Sequence, residues 1–183
     1  MKVENEKLVL LLRGAVIATL IVLSAVLRIV PHPWNFTPVG AMALFSGATF
    51  RNRWLAFVLP LASLFAGDVF IGFHKLMLTV YASFAVSVAI GQWLGENRTV
   101  ARIGGAVFLG SLQFFAVTNL AMWAVGGFYP KTMAGLMSCF AAGVPFLWNT
   151  LAGDALFAGI LFGAFAFAER LFPAIRLQGA ATT

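Results

Sequence analysis

Asp68 sits deep in the apolar run SLFAGDVFIGFHK at residues 63–75, which breaks at Gly72 just ahead of His74 and Lys75. Other chemistry-bearing side chains are sparse: His32, Trp34 and Asn35 in PHPWN, Tyr81, the pair Asn119 and Trp123 one helical turn apart, Tyr129, and Asn149 one turn after Pro145. An acid and two amides give directional hydrogen bonds, while Trp34, Trp123 and Tyr81 offer stacking area for a flat heterocycle. Few polar groups in an apolar setting are the usual furniture of a small-molecule site. His32 and His74, taken together above Asp68, have the chemistry to ligate a metal or a metal-bearing ligand, His74 being the more natural ligand. A lone histidine at a helix end is more commonly an interfacial residue.

The elements that must position these groups are apolar. Of 183 residues, 61% are hydrophobic and 10% charged, with a mean hydropathy of +0.95, against about 45–50% and 25% in soluble domains. The chain therefore reads as an all-α integral membrane protein in one domain. Apolar segments at about 8–30, 36–50, 54–72, 76–95, 101–127 and 141–168 predict six membrane helices. The second is short against the roughly 20 residues a span needs, and with Pro38, Gly40 and Gly47 it is expected to be bent or partly interfacial. The fifth and sixth are long and should tilt or overrun the lipid core. Arg13 interrupts the first segment and no small-residue cleavage pattern follows SAVLRIVPHPW, so the segment is expected to stay as a helix.

Lysine and arginine placement sets the expected orientation. With the N-terminus inside, Lys2, Lys7, Arg13, Arg51, Arg53, Arg98, Arg102, Arg170 and Arg176 fall on the cytoplasmic side and only Arg28, Lys75 and Lys131 outside. Both termini are then cytoplasmic, and the outer connections are 31–35, 73–75 and 126–139. Counting about 1.5 Å per residue from Trp54, Asp68 lies roughly 21 Å along its helix, in the outer half of the bilayer. Asn119, Trp123 and Asn149 share that half. A lipid-facing charge or amide is costly, so these side chains are expected to line one polar cavity open to the outside.

Several residues carry a second reading. Asp68 could instead hold neighbouring helices together. Asp154, in LAGDALFAG, echoes FAGDVFIG around Asp68 but sits nearer mid-membrane, where Thr150 is a plausible structural partner; the echo also permits a three-plus-three internal duplication. Arg28 reads as snorkelling to the outer headgroups, or as holding an anionic substrate group. Trp34, Trp123 and Tyr129 equally suit an interfacial aromatic belt. Gly14 and Ala18 form a small-xxx-small pair suited to close helix approach, inside the bundle or against a partner subunit.

Function classes are narrowed by absences. Cys139 is the only cysteine, which excludes an internal disulfide and a cysteine-cluster metal site. Basic residues are scattered singly rather than gathered for nucleic acid, and no polar file crosses the membrane as a channel would need. No Walker, HExxH or GxSxG motif occurs. Two intramembrane aspartates invite comparison with aspartyl intramembrane proteases, but Phe65 and Leu151 replace the first glycine of GxGD. An intramembrane enzyme using Asp68 and Asp154, or a structural or assembly subunit, remains the alternative to a binding protein.

The segments LRIVPHPWNFTPVGAMALFSGA, GDVFIGFH, FFAVTNLAMW, YPKTMAGLMSCF and PFLWNTLAGDALF resemble a family of bacterial membrane proteins regarded as transport proteins like the S-components of energy-coupling-factor vitamin transporters. The resemblance covers about residues 8–170. It implies an S-component-like six-helix bundle that captures a scarce micronutrient, vitamin-like or corrinoid, from outside without altering it and without a cofactor. It also implies a shared transmembrane subunit and two ATPases as partners, docked through alanines four apart on the first helix; here Gly14 and Ala18 stand at that spacing. A corrinoid would find its cobalt ligand in His74, since Cys139 lies in the last outer connection.

Overall fold

The computed structural model describes residues 26–50 and 52–171, together with residues 16, 19, 20, 22 and 23. Among these, residues 16, 19, 20, 22, 23 and 26–29 are helical and are called α1. Five further helices follow: α2 (Val39–Thr49), α3 (Leu55–Ile71), α4 (Met77–Leu94), α5 (Val100–Val125) and α6 (Met133–Leu171). There is no strand among the described residues. Gly14 and Ala18 lie outside them.

Local chemistry sets the helix ends. Gly72 (φ 103°) and Gly95 (φ 55°) close α3 and α4 in backbone conformations that glycine tolerates, donating to the carbonyls of Asp68 and Gly91. Thr99 caps α5 by accepting from the Arg102 amide, and Thr132 accepts from the Gly135 amide at 3.1 Å in the first turn of α6. That threonine starts α6 at Met133, eight residues before the apolar run that suggested a start at 141. The connection expected over 126–139 is accordingly 126–132. Pro145 is accommodated inside α6.

Three helices, α4, α5 and α6, are long and apolar enough to cross a membrane. At 39 residues α6 is roughly 58 Å long and outruns a hydrocarbon core of about 30 Å. The short α2 is not exposed. All eleven of its residues are buried, and it packs on α3, α4, α5 and α6. A Cβ on Gly47 would overlap the Val88 carbonyl, and one on Gly91 the Leu44 carbonyl, so α2 and α4 meet backbone to backbone. One side of α2 places Leu44, Phe45 and Ala48 against Val107, Ala158 and Phe162. Its other side packs Val39 and Ala43 with Leu64, Phe84 and Val88. Protein, not lipid, surrounds this helix, which removes the length requirement that a span would impose.

Contacts along α5 and α6 keep one antiparallel register: Arg98, just before α5, meets Glu169, Ser111 meets Asp154, and Asn119 faces Gly143. Between α4 and α5, Trp93 pairs with Arg102 and Gln113 with Ser83 and Ser87, again antiparallel. The connections 72–76 and 126–132 therefore share one end, and 95–99 lies at the other.

Candidate functional site

Asp68, in the last turn of α3, is 2% exposed, and both its oxygens are engaged. Arg28, from the end of α1, donates through Nη2 to Oδ1 at 2.8 Å and through Nη1 to the Leu64 carbonyl at 2.8 Å. Tyr81, in the first turns of α4, donates its hydroxyl to Oδ2 at 2.9 Å. Gly67 makes the approach possible, because a Cβ there would lie 2.8 Å from Arg28 Nη1. Three helices thus converge on one carboxylate. Arg28 does not snorkel: its guanidinium is turned inward and its side chain is 15% exposed. A charge in apolar surroundings requires such a partner, and the single arginine at the end of the first apolar segment was the signal for it.

Asp154 is 4% exposed and has a different environment. Ser111 on α5 donates to its Oδ2 at 2.9 Å. Its carboxylate lies against Gly40, where a Cβ would overlap it, and the Ala41 amide faces it as a donor. That amide belongs to the first turn of α2, whose N-cap Pro38 supplies no side-chain cap. Asp154 therefore caps α2 from another helix, using the unpaired N–H groups and favourable dipole of a helix start. Thr150, the partner expected from sequence, bonds instead to the Phe146 carbonyl. No local pattern announces Gly40 and Ser111, which are distant in sequence from Asp154.

Registers place Ser111 about four to six residues deeper than Tyr81, roughly 6–9 Å along the helix axis. Asp68 is held by Arg28 and Tyr81, and Asp154 by Ser111 and the start of α2. The close, proton-sharing geometry of a carboxylate pair is not formed.

The remaining expected site residues form local pairs. Asn149 donates to the Trp34 carbonyl at 3.0 Å, tying α6 to the connection 31–38, while the Trp34 ring is exposed. Asn119 donates to the Phe115 carbonyl and its side chain abuts Gly143; its own carbonyl accepts from Cys139 at 3.4 Å. Trp123 donates through Nε1 to the Pro130 carbonyl at 3.0 Å, and Lys131 both bonds to the Trp123 carbonyl and sits over its ring. Tyr129 is half-buried in the same connection. His32 places Nδ1 2.6 Å from the Val30 carbonyl, and His74 is exposed. Asn35 adopts a left-handed turn at φ 64°, which asparagine tolerates better than most residues. No group of three His, Cys, Asp or Glu suited to a metal occurs among the described residues. Among the ten expected substrate contacts, hydrogen bonds join Tyr81 to Asp68 and Asn149 to the Trp34 backbone.

A cavity of about 400 Å³ lies at the opposite end, between the connection 95–99 and the last turns of α6. Glu96, Arg98 and Glu169 line it with Ile103, Phe162 and Phe165.

No curated protein and no solved structure is matched by this sequence. A profile described as a family of unknown function, DUF6580, matches residues 10–175, and the chain belongs to that family.

Proposed function

We propose that this chain is the substrate-binding component of an uptake system for a small micronutrient, vitamin-like or corrinoid, with the Arg28–Asp68–Tyr81 cluster as its recognition centre. In this reading six segments span the bacterial inner membrane with both termini cytoplasmic, and the cluster is reached from outside. The observation that carries it is the cluster itself: a carboxylate, a guanidinium and a phenol held together between three helices at one end of an apolar bundle. A guanidinium–carboxylate pair is an exchangeable device. A substrate anion competes for Arg28, a substrate cation or N–H group for Asp68, and either exchange loosens α1 from α3. Between α4 and α5, Ser83 Oγ and Gln113 Oε1 are buried without a hydrogen-bond partner among the described residues, so polar capacity remains unused in the bundle. Trp34 and the connection 31–38 supply stacking area and a closing element. Energy-coupling subunits of the transmembrane and ATPase kind are the partners this reading implies.

A second reading has its own support: both Asp68 oxygens are already bonded within the chain, as in a clamp that only fastens α1 and α4 to α3. Native mass spectrometry of protein purified in mild detergent from its own membranes separates the two. A stoichiometric small-molecule adduct, lost in Asp68→Ala and weakened in Tyr81→Phe, supports binding. An adduct-free spectrum, under conditions that keep vitamin carriers loaded, together with folded but destabilised variants, supports the clamp.

A further inference from the structure

The cavity at the Arg98 end has a chemistry of its own. Arg98 Nη2 stands 3.5 Å from Glu169 Oε1, longer than a direct charge-assisted bond. Its Cζ lies over the Phe165 ring, 5.1 Å from the centroid, within cation–π range. Nη1 is buried and has no hydrogen-bond partner among the described residues. A buried cationic N–H without an acceptor is an anomaly that a ligand oxygen removes. Yet a simple anion is a poor match, because Glu96 and Glu169 line the same cavity and would repel it. A simple cation suits the carboxylates and leaves Nη1 unfilled. A zwitterion satisfies both, with its anionic oxygen on Arg98 and its N–H groups on the acids.

The remaining wall joins the apolar Ile103, Phe162 and Ala166 to the polar Asn97 and Thr99 of the connection 95–99. The cavity lies where apolar helices give way to the polar connection 95–99, at an end that also carries Arg53, Arg102 and Arg170. That is the level at which lipid headgroups meet a membrane protein. We propose that this cavity binds the phosphoethanolamine headgroup of an aminophospholipid, phosphate on Arg98 and ammonium on Glu96 and Glu169, with the glycerol end against Ile103 and Phe162. The lipid would fasten the last turns of α6 to the start of α5. The inference does not depend on the uptake function proposed above.

The test uses the full chain in mixed micelles containing phosphatidylethanolamine, phosphatidylcholine and phosphatidylglycerol, with retained lipid counted by native mass spectrometry. Wild type is expected to keep phosphatidylethanolamine over the other two, since choline has no N–H to donate and glycerol no positive charge. Arg98→Gln should lower its retention about tenfold or more. The near-isosteric Glu169→Gln should erase the preference over phosphatidylcholine while the fold, followed by circular dichroism, is kept. Equal retention of all three lipids by wild type, or unchanged preference in a folded Glu169→Gln protein, overturns the proposal. Added soluble phosphoethanolamine identifies the source of the headgroup: displacement of the lipid, with the soluble compound bound in its place, assigns the site to the free compound, and no displacement assigns it to the bilayer. Either result upholds the headgroup chemistry.

Discussion

Asp68 and Asp154 each follow Ala-Gly on an apolar helix, and each is almost fully buried. In both, the preceding glycine admits another segment: Gly67 meets Arg28, and Gly153 lies 3.3 Å, by its would-be Cβ, from the backbone of Phe36 and Thr37. There the likeness ends. Asp68 is balanced by a full positive charge and a phenol from two other helices, whereas Asp154 is balanced by a helix start and a serine hydroxyl. Under the uptake reading the difference separates an exchangeable site from a structural one. A guanidinium on a long side chain can move to another anion; the first turn of a helix buried along its whole length cannot.

The sharpest way to break this comparison is Arg28→Ala. It leaves the Asp68 carboxylate buried and unpaired, which should cost about 3–5 kcal/mol, seen as early thermal unfolding in detergent. A loss below about 1 kcal/mol, the level of an exposed pair, would mean that the pair is solvated and the contrast false. Next comes Gly40→Ala, whose Cβ must displace the Asp154 carboxylate from α2 at about 1–3 kcal/mol. The paired control Gly67→Ala should cost less, because the atoms it meets belong to the flexible Arg28 side chain. Equal losses at the two glycines would erase the distinction between a rigid and a yielding partner.

Tyr81→Phe removes one donor from Asp68 and is expected to cost about 1–2 kcal/mol. Under the uptake reading it also weakens retention of the bound solute, so the same variant serves both measurements. The smallest effect belongs to Asp154→Asn, about 1 kcal/mol or less, since the amide oxygen still accepts from the start of α2 and the Ser111 hydroxyl can turn to accept from the new N–H. Asp68→Asn, run beside it, should be the worse of the two, because it strips Arg28 of its counter-charge. A reversal of that order in unfolding measurements would assign the clamp to Asp154.

Much of the helix layout was legible because apolar run length and breaking residues act locally. Gly72 and Gly95 end their helices within the reach of a few residues. The start of α6 was missed although Thr132 is a good cap, because Gly126, Gly127 and Pro130 just before it and Gly135 just after it made the stretch read as loop. The burial of α2 was not legible: eleven apolar residues carry no mark of whether lipid or protein will surround them. Asp68 stood out as a buried charge, and Tyr81 was singled out for stacking rather than for its hydroxyl. The gathering of Asn119, Trp123, Asn149 and the histidines around one cavity was inferred from shared depth. Depth does not fix rotation about the helix axis; Asn119, Trp123 and His32 are within hydrogen-bond reach of the Phe115, Pro130 and Val30 carbonyls, and Asn149 of the Trp34 carbonyl.

Composition alone determined that this protein is helical and apolar enough to need membrane-like surroundings, since few charges over long apolar runs leave a helix as the economical way to satisfy every backbone group. It also determined that each buried carboxylate must have a partner. Tertiary structure decided which one. Arg28 reaches Asp68 across forty residues of chain and Ser111 reaches Asp154 across forty-three, and Gly40 is opposite Asp154 because α2 ends up at the centre of the bundle. Those choices follow from how helices pack and turn against each other, and an AGD tripeptide, identical at both sites, contains no information about that packing.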